Sequence, residues 1–187
     1  YKRQILARIT VYLPMLRQNT FQREVVAFEP NPYIYRFFLY GLEKNNTRNV
    51  VPFHCAVGPH DDFLSLSYND KHSGLSSIQH KQDTVGQNIT VPVFNVSEWK
   101  SLEFLNDKKD IHIKIDVEGF EKTVLDTILA ASWKNNVRSI VVEIDNDNLK
   151  SFGSSTAELY DVLQQHGFKP TIGMDIERHY DEIFMLM

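Results

Sequence analysis

Apolar residues fall along this chain in short β-branched runs separated by longer stretches of helical spacing, the alternation that builds a parallel sheet covered by helices. Glu24-Val25-Val26-Ala27-Phe28-Glu29 predicts a buried strand, and Asn31-Pro32 supplies the N-cap and first residue of a helix. That helix, Tyr33 to about Asn45, places Ile34, Phe37, Phe38 and Leu42 on one broad apolar face. Val50 to Cys55 is the next strand. Ile111 to Asp116 and Ser139 to Ile144 repeat the strand pattern. Between them a helix from Phe120 to about Trp133 carries Val124, Leu125, Ile128 and Leu129 on one side, with Gly119 in the turn before it. Ser155-Thr156-Ala157-Glu158 is a capping box opening a helix through Leu159, Val162 and Leu163, which Gly167 closes at its C′ position. Glu182 to Leu186 reads as a last strand.

Residues 58 to 95 follow a different pattern. Phe63-Leu64-Ser65-Leu66-Ser67 alternates apolar and polar, and Ile89-Thr90-Val91-Pro92-Val93 carries a proline, so this excursion predicts a hairpin or an edge strand with one wet face. Between these runs Ser73-Gly74-Leu75-Ser76-Ser77 reads as a loop.

Composition narrows the picture. The 187 residues suit one domain over 1–187, and no apolar stretch approaches the ~20 residues that span a bilayer. A net charge of -4 argues against a general nucleic-acid binder. One cysteine, Cys55, forms no internal disulfide, and neither it nor the seven histidines fall into a metal-ligand spacing, so no metal is expected. His112 reads as a packed strand residue, Cys55 as a small buried hydrophobe, and Tyr33, Tyr35, Phe37, Phe38 and Tyr40 as helix core plus surface. Three glycosylation acceptor patterns, at Asn45, Asn88 and Asn95, carry little weight in a chain this rich in Asn, Ser and Thr. The compartment stays open, with a lean towards the cytoplasm. Oligomeric state is not legible.

In open α/β sheets ligands bind outside the carboxyl ends of the strands, and three predicted ends are acidic: Glu29; Asp116 with Glu118; and Glu143 with Asp145 and Asp147. A carboxylate such as Glu29 suits the two adjacent hydroxyls of a ribose, and it also suits the N-terminus of the following helix. Carboxylates gathered at strand ends also fit a metal-dependent hydrolase using Asp116, Glu118, Glu143 and Asp145.

Val26-Ala27-Phe28-Glu29-Pro30-Asn31-Pro32, followed by Ile113-Lys114-Ile115-Asp116-Val117-Glu118-Gly119-Phe120-Glu121, resembles the FkbM-type family of S-adenosylmethionine-dependent methyltransferases. Cys55-Ala56-Val57-Gly58 and Ile140-Val141-Val142-Glu143-Ile144 are similar to the family's segments after its third strand and at its fifth. The resemblance implies a Rossmann-like fold, a mostly parallel sheet with helices on both faces, and O-methylation of a small-molecule hydroxyl on a sugar, natural product or lipid-like acceptor. It implies S-adenosylmethionine as cofactor, held by Glu29-Pro30-Asn31 with Glu29 on the ribose, Ala56 beside the adenine and Asp116 at the methionine end. Asp116 or Glu118 would be the base, if one is needed.

Such enzymes carry a glycine-rich turn after their first strand. Here that turn falls at Leu6-Ala7-Arg8-Ile9-Thr10, just before a first helix starting at Val11-Tyr12-Leu13, and no glycine precedes Gly41. Either the loop is degenerate, which would leave an inactive binding module, or the chain is trimmed there, as its start at Tyr1 suggests.

Overall fold

The computed structural model describes residues 8–17, 20–68 and 87–187, with side chains over 24–66 and 88–187. A seven-stranded sheet forms its centre. The strands of that sheet are β1 (Arg8–Arg17), β2 (Thr20–Phe28), β3 (Val50–Phe53), β7 (Ile111–Asp116), β8 (Val137–Ile144), β9 (Phe168–Pro170) and β10 (Tyr180–Leu186). A second, three-stranded sheet holds β4 (Ala56–Val57), β5 (Asp62–Tyr68) and β6 (Gln87–Phe94). The helices are α1 (Pro32–Lys44), α2 (Glu121–Leu129), α3 (Asn146–Ser151) and α4 (Thr156–Gln165).

Strand order in the large sheet is β3-β2-β1-β7-β8-β10-β9. The sheet is mixed rather than mostly parallel, which corrects the expectation from sequence. Only β2 with β3 and β7 with β8 pair in parallel; β1 is antiparallel to β2 and β7, and β10 to β8 and β9. The expected turn at Arg8 to Thr10 and helix from Val11 are also corrected, because Arg8–Arg17 is a strand. Ile9, Val11, Leu13 and Met15 alternate with period two, and Pro14 would break a helix interior, so the local sequence favours extension. Leu6 and Ala7 lie outside the described residues.

The predicted excursion pairs β5 with β6 antiparallel, Phe63 opposite Pro92, while Ser73 to Ser77 lie outside the described residues. Asn31 caps α1 as expected, its Oδ1 accepting the N–H groups of Tyr33 at 2.9 Å and Ile34 at 3.4 Å. The predicted apolar face of α1 is narrower than expected. Ile34, Phe38 and Leu42 are half-buried, but Phe37 is 78% exposed because it falls off their stripe on the helix. Tyr35 takes its place, stacking on His54 at 4.7 Å and donating its hydroxyl to the Pro52 carbonyl.

The core gathers around β7 and β8, where Ile111, Ile113, Ile115, Val137, Ile140, Val142 and Ile144 are buried. α2 adds Val124, Leu125, Ile128 and Leu129, then gives way to a 3-10 turn over Ser132–Asn136 that buries Trp133. One half of the expected capping box forms: Ser155 Oγ accepts the Glu158 N–H at 3.3 Å, while the Glu158 carboxylate accepts the Ser155 hydroxyl at 3.1 Å, and Gly167 follows α4 at a φ of 86°. Cys55 is buried, its thiol pushed up to about 12 by that burial, and His112 Nδ1 lies 2.7 Å from Ser139 Oγ. None of the described helices is long and apolar enough to cross a membrane.

Candidate functional site

Two strand ends and one strand start meet at the site. β7 ends at Asp116 and turns through Val117-Glu118-Gly119, a turn tight enough to hold Glu118 at a φ of 53° and Gly119 at 105°. The buried Glu121 closes it, Oε1 accepting the N–H groups of Val117 and Gly119 at 3.1 Å each. β8 ends next door, bringing Glu143 alongside. β10 runs antiparallel, with Tyr180 opposite Ile144, so its first residues lie beside the last residues of β8 and carry His179 into the same place.

One oxygen each of Asp116, Glu118 and Glu143 lies within 4.8 Å of the others. Their mutual repulsion is offset in part. Lys114 Nζ is 3.4 Å from Asp116 Oδ2, Asn148 Nδ2 donates to Glu118 Oε2 at 3.1 Å, and His179 Nε2 is 2.7 Å from Glu143 Oε1. Burial, then the neighbouring Glu143, pushes Asp116 up to about 6 and Glu118 up to about 7. Burial also raises Glu121, against its N–H bonds. His179 moves up too, chiefly through its hydrogen bond with Glu143. Asp145 Oδ1 instead caps α3, accepting the N–H groups of Asp147 and Asn148 at 3.0 Å each.

A small apolar crevice adjoins the turn. Pro30, Ala56, Val117 and Phe120 line it, and Leu66 and Val91 of the small sheet close it. Its volume is only about 30 Å³, so a flat ring enters only if these side chains move apart. Glu29, directly after β2, is buried, and its Oε1 accepts the Asn31 N–H at 2.9 Å.

The structure thus brings Pro30 and Ala56 to one crevice and Asp116 and Glu118 to one acidic cluster, with Glu29 and Asn31 in the turn beside Pro30. Sequence reasoning missed His179 and the lining roles of Val117 and Phe120. His179 precedes a strand rather than following one, and only the antiparallel course of β10 makes a strand start equivalent to a strand end. Reading Tyr180–Leu186 as an antiparallel neighbour of β8 would have found it.

These features define a mixed α/β domain whose polar and apolar functional groups collect at the ends of β2, β7 and β8. The chain belongs to the methyltransferase FkbM domain family, which matches residues 5–170. It is 28% identical over 140 residues to Methyltransferase 1 of Beauveria bassiana, covering 66% of this chain and 55% of that protein. It is also 23% identical over 154 residues to the DNA replication and repair protein RecF of Streptococcus pyogenes, covering 82% of this chain and 39% of that protein. The chain thus spans about half of the first relative and about two-fifths of the second. No solved structure matches it.

Asp116 Oδ1 is buried with no hydrogen-bond partner among the described residues, as expected of an oxygen awaiting a ligand. A buried carboxylate such as Glu29 beside an apolar crevice, once widened, would suit the adenosine half of S-adenosylmethionine. The methionine half is less well provided for among the described residues. In the register, Arg8 opposes Asp116 and Ile9 opposes Phe28, so β1 starts, rather than ends, between the two acidic strand ends. No glycine-rich turn can follow it there.

Proposed function

We propose that this chain is a domain of an S-adenosylmethionine-dependent O-methyltransferase acting on a small hydroxyl compound such as a sugar, natural product or lipid-like alcohol. The carrying observation is convergence. Three motifs far apart in sequence, around Pro30, Ala56 and Val117-Glu118-Gly119-Phe120, line one crevice beside the acidic strand ends. The strand order, β3-β2-β1-β7-β8 in its first five positions, supports a Rossmann-like reading despite the reversed β1.

In this reading Glu29 holds the ribose hydroxyls, Pro30 and Ala56 flank the adenine, and Asp116 lies towards the methionine end. The cofactor supplies a methyl group already activated on a sulfonium, so much of the rate comes from positioning the acceptor oxygen. Val117 and Phe120 keep the adenine side apolar, while Asp116 and Glu118 offer hydrogen-bond acceptors, and proton-holding groups, to an incoming hydroxyl.

A second reading is a binding module without catalysis, favoured by the reversed β1 and the missing glycine turn. Calorimetric titration of S-adenosylmethionine and its demethylated product separates the two, with methyl transfer measured alongside. Binding of both at micromolar level with turnover supports the enzyme. Binding without turnover supports the module, and no binding removes both.

A further inference from the structure

We propose that His179 takes the proton from the acceptor hydroxyl and that Glu143 orients it for this task; the inference rests on the methyl-transfer reading above. Nε2 lies 2.7 Å from Glu143 Oε1, so its hydrogen is donated to a carboxylate and the lone pair of the neutral ring resides on Nδ1. Nδ1 is 3.9 Å from Asp145 Oδ2, beyond hydrogen-bond distance, and the side chain is 51% exposed. A hydroxyl can therefore reach it. Asp116 and Glu118 face the same space but are more enclosed.

The ring is held from behind. Tyr180, the next residue, is pinned through its hydroxyl, which lies 2.9 Å from that of Tyr160, donates to the Gly173 carbonyl and accepts the Asp175 N–H. Glu182 accepts N–H groups from Thr171, Ile172 and Gly173, fixing the loop that leads to His179. A base carried on so anchored a segment needs little reorganisation before it acts.

The charges also favour the transfer. Glu143 from β8, Asp145 from the cap of α3 and Glu118 from the turn after β7 all face His179 and stabilise its imidazolium. The nearest cation in sequence, Arg178, lies over the Tyr180 ring. The acceptor O–H proton goes to Nδ1, the oxygen's electron pair forms the bond to the methyl carbon, and the old bonding pair stays with sulfur. A hydroxyl, a sulfonium and a neutral imidazole become an ether, a thioether and an imidazolium.

Two measurements on the whole protein test this. Nuclear magnetic resonance titration of His179 should give a midpoint above the ordinary imidazole value, falling in Glu143→Gln. Methyl transfer from S-adenosylmethionine is then followed to a methyl glucoside, whose hydroxyl keeps its proton, and to 4-nitrophenolate, which has lost it. His179→Ala should lose ~10²- to 10⁴-fold on the glucoside and little on the phenolate. Equal losses on both probes, or none on either, would overturn the assignment, as would a midpoint indifferent to Glu143→Gln. A wild-type protein with the His179–Glu143 coupling intact but no transfer to either probe would overturn the methyl-transfer reading, and this assignment with it.

Discussion

A side-chain carbon at Gly119 would lie 2.6 Å from the backbone oxygen of Asn148, so the turn after β7 and helix α3 after β8 touch backbone to side-chain position. This contact lets Asn148 reach Glu118 and, with Phe120 set edge-on to Phe152 at 5.8 Å, ties two strand ends into one site. Gly119→Ala should therefore destabilise the protein on the order of 1–3 kcal/mol from its positive φ alone, and more through the collision with Asn148. Chemical denaturation measures the loss. A variant as stable as the wild type would refute the closeness of the two turns.

Glu29→Gln keeps the shape of the buried side chain and removes its charge. On the proposed reading its two hydrogen bonds to the ribose drop from ~1.5–3 to ~0.5–1.5 kcal/mol each, a difference of about 1 kcal/mol per bond, so cofactor affinity should fall about 10- to 100-fold. Calorimetry reads the affinity and a thermal melt checks the fold. Undiminished affinity in a folded variant would remove Glu29 from the ribose.

The acidic cluster makes stability depend on pH in a direction unusual for carboxylates. Asp116 rises from 3.8 to about 6 and Glu118 from 4.5 to about 7 on folding, so between about pH 4 and 7 the folded state holds more protons than the unfolded one. Stability then falls as pH rises through that window. His179, also raised, adds stability below its unfolded value that disappears as pH climbs past its folded one. The thermal midpoint should be higher near pH 5.5 than near pH 8, and Glu118→Gln should flatten the difference. Calorimetric scans across this range would show an unchanged slope if Glu118 ionised normally in the folded protein.

Glu182 behaves in the opposite sense. Burial alone would raise it, but N–H groups of Gly173, Ile172 and Thr171 and the Tyr160 hydroxyl outweigh burial and hold it below its ordinary value. Its stabilisation is lost as pH falls through that lowered value. Glu182→Gln turns an acceptor into a donor facing other donors, which should cost about 3 kcal/mol or more. Denaturant unfolding gives the cost, and hydrogen exchange at Thr171 to Gly173 should quicken beyond what global unfolding explains. Protected amides in a stable variant would contradict the anchoring role.

Local sequence determined the elements whose cause is local. Asn31-Pro32 starts α1 because a side-chain oxygen and a fixed φ act within one turn, and Ser155 with Glu158 opens α4 in the same way. The runs Ile113 to Asp116 and Ile140 to Glu143 are strands because β-branched residues suit a sheet covered on both sides. Glu29, Asp116 and Glu118 stood out as candidates because carboxylates directly after strands lie where open α/β sheets bind ligands, although Glu29 serves the start of α1 as well. β1 runs against β2 because only two residues separate them, too few for the crossover that a parallel pair needs, and it therefore runs against β7 as well. What remained hidden was decided by pairing over distance. His179 joins Glu143 only because β10 returns antiparallel beside β8. Neither residue marks the other along the chain, and the hydrogen bond between them exists only once the sheet has closed.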